Sequence, residues 1–409
     1  MRDGDDFSWI RALLGSGHRW LLGLLLVAGC GPAGVDPSDV PKVLASMPIG
    51  RKSGIEFVNG AQLALEIHRR NGGRAVELEM LDSVDPDGNS YDRREAEIAA
   101  QAIADPAVVA YLGPALSDSA KVSMPLLNQA GITQVSYSAS WSGLTVSGFG
   151  PGEPGMYFPS GEQHFFRVAP RDDVGSRLAA EWIDGQGYRR LYVVSPDTVF
   201  GLGASGIFVT VAQDLGLEVV AYELFDHAAA PAEVLEAMAD RAVAANPDVV
   251  CFTGTSSQFG AILLRRLRDR APQLPVVGLG AVVSPFFIEE LGAARAEGIY
   301  STALGGSVAH LPSPQAAEFR REYRQAFGLE APFRAALSFE AMNVLLRAIE
   351  RAQPRTRAGV LAEMRRLGEY SGVFGTWSFT ATGDIDRRQV GLWQVRGGEW
   401  EFVKMLEGR

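Results

Sequence analysis

Two cysteines in 409 residues are too few for a disulfide framework, and the two sit in unlike surroundings. Cys30 ends an apolar run. Cys251 lies within Asp248-Val249-Val250-Cys251-Phe252, which reads as a buried strand where cysteine behaves as a small hydrophobe. Histidine is also scarce: after Cys30 only His68, His164, His227 and His310 remain, none at metal-ligand spacing. A G-x-S-x-G elbow and a G-x-x-x-x-G-K-[ST] phosphate loop are both missing. Hydrolase chemistry therefore has no nucleophile–base pair to start from, and neither enzyme activity, cofactor nor metal is expected. Asp85, Asp87 and Asn89 resemble the start of a calcium loop, but Ser90 stands where Gly is required and Ala96 where the bidentate Glu is required. That segment reads as a turn. Positive charge is short as well, with 38 Lys and Arg against 48 Asp and Glu and a net charge of −10. A nucleic-acid partner needs clustered cations, and Arg265-Arg266-Leu267-Arg268 reads as the solvated face of one helix.

Long apolar runs are missing too. Trp20–Ala28 (WLLGLLLVA) follows His18 and Arg19 and falls short of the about 20 residues that span a bilayer. It fits the core of a signal peptide over residues 1–29. Val27-Ala28-Gly29-Cys30 resembles the bacterial lipobox, which implies lipidation of Cys30 and firm anchoring by several acyl chains. Asp3, Asp5 and Asp6 are unusual for the start of a signal peptide and suggest an extended leader or a later true start. Residues 30–41, rich in Pro and Gly, read as a tether.

What remains is an α/β alternation in a chain long enough for two lobes. Val43–Met47, Val76–Leu81, Val108–Leu112 and Thr133–Tyr137 read as strands. They are separated by helices at Gly54–Arg70, Glu95–Ala104 and Ser117–Gln129, the last with a kink expected at Pro125. Gly143–Gly161 is a Gly/Pro-rich loop or insertion. The alternation restarts with helix Asp173–Asp184, strand Leu191–Ser195 and a helix from Leu202. Strand Leu217–Leu224, helix Ala232–Ala245, strand Val249–Phe252, helix Gln258–Arg270 and strand Pro275–Leu279 follow. Helices near Gln315–Phe327, Ala335–Arg351 and Ala358–Leu367 lead to strand Thr376–Thr380 and a hairpin of Val390–Arg396 with Trp400–Val403. Such alternation predicts parallel sheets covered by helices.

Several short motifs occur in order: Phe57-Val58-Asn59-Gly60-Ala61-Gln62 before Asn71-Gly72-Gly73, Leu112-Gly113-Pro114-Ala115-Leu116-Ser117, and Phe166-Arg167-Val168-Ala169-Pro170. Asn246-Pro247-Asp248-Val249-Val250, Ala296-Glu297-Gly298-Ile299-Tyr300 and Phe319-Arg320-Arg321-Glu322-Tyr323 with Phe327-Gly328 follow. Together they resemble the branched-chain amino-acid-binding family of type I periplasmic solute-binding proteins. The resemblance implies two Rossmann-like lobes with parallel sheets joined by three crossing strands. Lobe one would hold residues 41–167 with 301–371, and lobe two 168–300 with 372–409.

In open α/β sheets a ligand sits beyond the carboxyl ends of the strands, where helix N-termini attract anions. Ser117 opens a helix just after a strand, so its hydroxyl and the nearby N–H groups are placed for a ligand carboxylate; a plain N-cap is the rival reading. By the resemblance Ser138 and Ser140 complete the carboxylate and amine contacts, against ordinary turn chemistry. Trp141 either walls the cleft or covers its own lobe. Asp197-Thr198-Val199-Phe200-Gly201 matches a loop that offers an aromatic, here Phe200. Thr255 and Ser53 fall where some members carry aromatics, and the amine-binding acid expected near Ala281 has no counterpart. Asp197 or Glu289 are the available substitutes, while Arg51 and Lys52 bring positive charge to the first strand-to-helix loop. The expected function is a lipid-anchored, exported solute-binding protein facing the periplasm or cell exterior, which hands a small polar or carboxylate-bearing solute to an ABC permease. The alternative is an envelope lipoprotein of this fold that acts as a sensor or regulator through protein contacts.

Overall fold

A computed structural model describes residues 40–51, 53–84, 91–227, 229–254, 258–280 and 282–408. Cys30 with the leader and nearly all of the tether, Lys52, the segment 85–90 that was expected to turn, Thr255 and Ala281 lie outside the described residues.

The first sheet forms around Val43–Met47 and Val108–Leu112, which carry apolar residues on both faces, the pattern of a parallel sheet covered by helices. It contains β1 (Lys42–Met47), β2 (Glu77–Asp82), β3 (Val108–Leu112), β4 (Thr133–Ser136) and β5 (Phe165–Arg167), in the order β2-β1-β3-β4-β5 with every pair parallel. Helices α1 (Gly54–Arg70), α2 (Tyr91–Ala104) and α3 (Ser117–Gln129) connect successive strands, and α3 runs on across Pro125. Val43, Ala45 and Met47 of β1 face one core together with Phe57, Ala61 and Leu65 of α1. Leu44 faces the other core, with Ile98 and Ala102 of α2 and Leu127 of α3.

The second sheet repeats the plan. Helices α4 (Asp172–Gly185), α5 (Val199–Asp214), α6 (Ala232–Ala244) and α7 (Gln258–Arg270) flank β6 (Arg190–Pro196), β7 (Glu218–Phe225), β8 (Val249–Thr253) and β9 (Val276–Leu279). Beyond them come α8 (Pro285–Leu291), α9 (Ala293–Ala296), β10 (Tyr300–Ala303), α10 (Pro314–Phe327), α11 (Phe333–Arg351) and α12 (Arg357–Arg365). The hairpin of β11 (Tyr370–Gly372) and β12 (Gly375–Trp377) stands apart, while β13 (Gln389–Arg396) and β14 (Glu399–Glu407) close the second sheet in the order β14-β13-β10-β9-β8-β6-β7. There β13 pairs antiparallel with both β10 and β14, and the other neighbours are parallel. Cys251 is fully buried on one face of this sheet, beside Phe208 and Val277, and burial pushes its thiol well above the ordinary value. It is a core residue.

Helices α10, α11 and α12 return to the first sheet. A Cβ added at Gly60 of α1 would stand 2.0 Å from Ala335 O of α11, so only glycine allows these two helices to lie so close. The chain therefore runs between the two sheets three times, after β5, after β10 and after β12. The two-lobed α/β architecture with parallel sheets is the one that the sequence motifs implied.

Two local expectations need correction. The strand expected at Thr376–Thr380 stops at Trp377, because beyond it Phe379 bridges Ile385, and Asp384 bridges Arg167 of the first passage. The helix expected from Leu202 begins at Val199, because Thr198 caps it by accepting the Gly201 N–H at 2.9 Å. Strand β5, three residues long, has no pattern of its own and was legible only as a motif.

The passages are tied by charge. Arg167, fully buried, places Nε 2.6 Å from Asp384 Oδ1 and donates to Ala139 O, Trp141 O and Thr145 Oγ1. Asp384 also accepts from Thr145, Thr382 and Arg171.

Candidate functional site

The carboxyl ends of β3 and β4 carry the loops that hold the candidate serines, and hydrogen bonds stitch these loops together. Ser136 Oγ donates to Pro114 O at 2.7 Å, Ser138 Oγ donates to Ala115 O at 2.8 Å, and Ser117 Oγ accepts from the Trp141 N–H at 3.1 Å. Ser117 is the first residue of α3 and not its cap; Leu116 holds the cap position, with no side-chain cap bond. The capping role that competed for Ser117 is thus not the one realised. Ser117 and Ser140 are buried, and Ser138 is half-buried.

Ser140 points to a residue that the sequence reading passed over. Its carbonyl accepts the Asp172 N–H at 2.8 Å, which sets the two residues side by side. Asp172 opens α4 in lobe two, is 5% exposed, and has a buried Oδ2 with no partner among the described residues. Burial pushes this carboxyl up to about 7 against the pull of Ser140 and the Arg167 charge. An acid so placed is short of one donor, and a ligand ammonium or hydroxyl would supply it.

Trp141 both walls the site and reaches across it. Its indole lies over Gly203 of α5, where an added Cβ would stand 2.0 Å from Cζ3. Its Nε1 donates to Glu153 at 3.0 Å, and Lys121 Nζ sits 5.2 Å from its ring. Glu153, in the Gly/Pro-rich insertion, also takes Tyr157 OH at 2.6 Å and Lys121 Nζ at 2.9 Å. Burial raises its carboxyl, but these partners outweigh burial and leave it below the ordinary value. The insertion thereby folds onto α3, and its apolar residues join Val199 and Ile207 of lobe two in one cluster. Asp118, next to Ser117, lies close enough to the start of α5 for the Val199 N–H to pull its carboxyl down, although burial prevails and raises it.

In lobe two, Phe200 lies in the first turn of α5, half-buried, with its ring 3.0 Å from where a Cβ of Gly280 would be; Gly280 has φ +97°, beyond β9. Ser53 caps α1 by position without a side-chain bond. Of the proposed substitute acids, Asp197 is committed to His227, accepting its backbone N–H at 3.0 Å and lying 2.7 Å from Nδ1.

A second residue escaped the sequence reading. Arg334, in the first turn of α11, reaches from lobe one to lobe two: Nη2 donates to Val283 O at 2.6 Å, beyond β9. Its Nη1 stands 3.5 Å from Oε2 of Glu56 in α1. Burial lowers the guanidinium and raises the Glu56 carboxyl, each offset in part by the other. Neither residue breaks the amphipathic pattern of its helix, so neither is visible without the fold.

A profile of the periplasmic binding protein family matches residues 48–399, most of the chain and both lobes. The chain belongs to the periplasmic binding protein family. Solved structures of such proteins share its fold. A leucine-binding protein LivK from Thermotoga maritima superposes with a TM-score of 0.77 at 24% identity, over 90% of this chain and 99% of that one. LivJ from Streptococcus pneumoniae, in complex with isoleucine, gives 0.76 at 18% identity over 90% and 100%. A solute-binding protein from R. palustris, in complex with 4-hydroxybenzoate, gives 0.75 at 18% identity over 90% and 97%. No curated protein matches by sequence. Among the described residues of this periplasmic binding protein, no helix is long and apolar enough to cross a membrane.

Proposed function

We propose that this protein is the exported solute-binding component of an ABC importer, anchored through a lipid on Cys30, and that it captures a small polar or carboxylate-bearing, amino-acid-like solute. The observation that carries this reading is the stitched pair of loops bearing Ser117, Ser138 and Ser140 at the start of α3, with the buried Asp172 tied to them by its N–H on Ser140 O. The Ser117 hydroxyl and the helix N–H groups suit a carboxylate, and Asp172 suits an amine or hydroxyl, which a buried site otherwise accommodates only at a cost. Leucine, isoleucine and 4-hydroxybenzoate, named with the relatives, all bear a carboxylate. Asp172 takes up the role for which the sequence offered no acid near Ala281.

Thermal melting across a panel of amino acids, hydroxy acids and aromatic acids is the test, since a ligand at 100 times its Kd stabilises by about 2.7 kcal/mol. Ser117→Ala is expected to abolish the shift of whichever solute binds; a shift that survives it places the ligand elsewhere. The alternative, an envelope sensor or regulator working through protein contacts, draws on Trp141 and Asp118, which already reach across to α5. A panel without any shift, together with a protein partner recovered by crosslinking, would favour that reading.

A further inference from the structure

Arg334 is a guanidinium with most of its donors unspent. Of its five N–H groups, one makes a hydrogen bond among the described residues, from Nη2 to Val283 O. The 3.5 Å approach to Glu56 is an ion pair but too long for a good hydrogen bond, and Glu56 Oε2 is buried without a hydrogen-bond partner among the described residues. This pair is not the closed, two-pronged fork that arginine and a carboxylate form when they satisfy each other. The Phe333 ring covers one face, 4.8 Å from Cζ. The side chain keeps 15% of its exposure, so the donor edge is not sealed.

The location gives the open edge a purpose. Glu56 lies in the first turn of α1, just after Ser53; Val283 follows the segment whose Gly280 packs on Phe200. Arg334 therefore contacts residues that lie three positions along the chain from Ser53 in one lobe and from Gly280 in the other, on elements other than the serine loops. We infer that Arg334 selects solutes carrying a second anionic group, so that the ligand is a dicarboxylate, amino or otherwise, whose distal carboxylate completes the guanidinium. This rests on the proposed function, which seats the first carboxylate at Ser117, Ser138 and Ser140.

Matched pairs test it by calorimetry: glutamate against glutamine, aspartate against asparagine, and glutarate against pentanoate, on wild type, Arg334→Met, Arg334→Gln and Ser117→Ala. Each pair differs only at the distal group. Wild type should favour the diacid by about tenfold or more, the range of a hydrogen bond to a charged group. Both Arg334 variants should bring the members of a pair within about threefold, whereas Ser117→Ala should weaken both members alike. A guanidinium that only latched the lobes would change the affinities of both members together and leave their ratio. Equal binding of the two members by wild type, or a preference that survives at Arg334→Met and Arg334→Gln, overturns the assignment while the serine site stands. Diacid binding that ignores Ser117→Ala overturns the proposed site instead, and the inference with it. Equal binding by wild type overturns the assignment even if one variant fails to fold, and either folded Arg334 variant suffices to test a preference.

Discussion

Removing Asp384 should destabilise the protein more than any surface charge can. Arg167 is fully buried and Asp384 is 2% exposed, with Nε and Oδ1 2.6 Å apart. Asp384→Ala leaves the guanidinium its bonds to Ala139 O, Trp141 O and Thr145 Oγ1 but takes away the charge that balances it. Breaking one side of such a buried pair costs about 3–5 kcal/mol. At roughly 2 °C per kcal/mol for lobes of this size, the melt should fall by about 6–10 °C. Asp384→Asn keeps the shape and one acceptor oxygen, so its cost should be smaller, about 1–3 kcal/mol. In the double variant Arg167→Met/Asp384→Ala the loss should fall short of the sum of the single losses by about 0.5–3 kcal/mol. The pH dependence carries a sign. Burial raises the Asp384 carboxyl, but Arg167 and Arg171 outweigh it and hold it below 3.8. Its stabilisation is therefore present above the unfolded value and lost as pH falls through the folded one. Urea unfolding followed by circular dichroism at pH 7 and at pH 3 measures both effects. A cost under about 1 kcal/mol for Asp384→Ala, or strict additivity in the double variant, would refute the reasoning.

Cys30→Ser should release the protein from the membrane fraction, and mass spectrometry of wild type should show acyl mass on the Cys30 peptide; firm retention of the variant would refute lipidation. Small-angle scattering should give a smaller radius of gyration once a confirmed solute is bound, because the lobes are joined by three passages that permit hinge closure; an unchanged profile at saturation counts against it. Glu95, fully buried and accepting from Ser46 Oγ at 2.6 Å and Tyr111 OH at 2.7 Å, is pushed by burial to about 7. Its raised value means that stability is full below 4.5 and declines as pH rises from there towards 7. Glu95→Gln should flatten part of that decline in melts between pH 4.5 and 8, and a variant with the wild-type slope would show that Glu95 is not its source.

The fold was legible because its strands and helices advertise themselves locally. Val108–Leu112 is apolar on both faces, and Gly54–Arg70 repeats its apolar residues near the helical period. Ser117 was legible for a similar reason, as a hydroxyl placed where a strand hands over to a helix. Asp172 and Arg334 were not, since their meaning depends on partners from the other lobe: Ser140 for one, Val283 for the other. No local period encodes such a meeting. β5 failed for a different reason, being too short to show a period at all.

The ring of Trp141 resting on Gly203 of the opposite lobe gives the protein a native optical gauge. Parting the lobes would lift helix α5 from the indole and admit water to it, so its emission should move to longer wavelength without any dye attached. Because Lys121 and Glu153 grip the same indole from lobe one, the chromophore stays with that body while the other moves. With the other six tryptophans replaced, the distance between two lobes would be written into the colour of one residue.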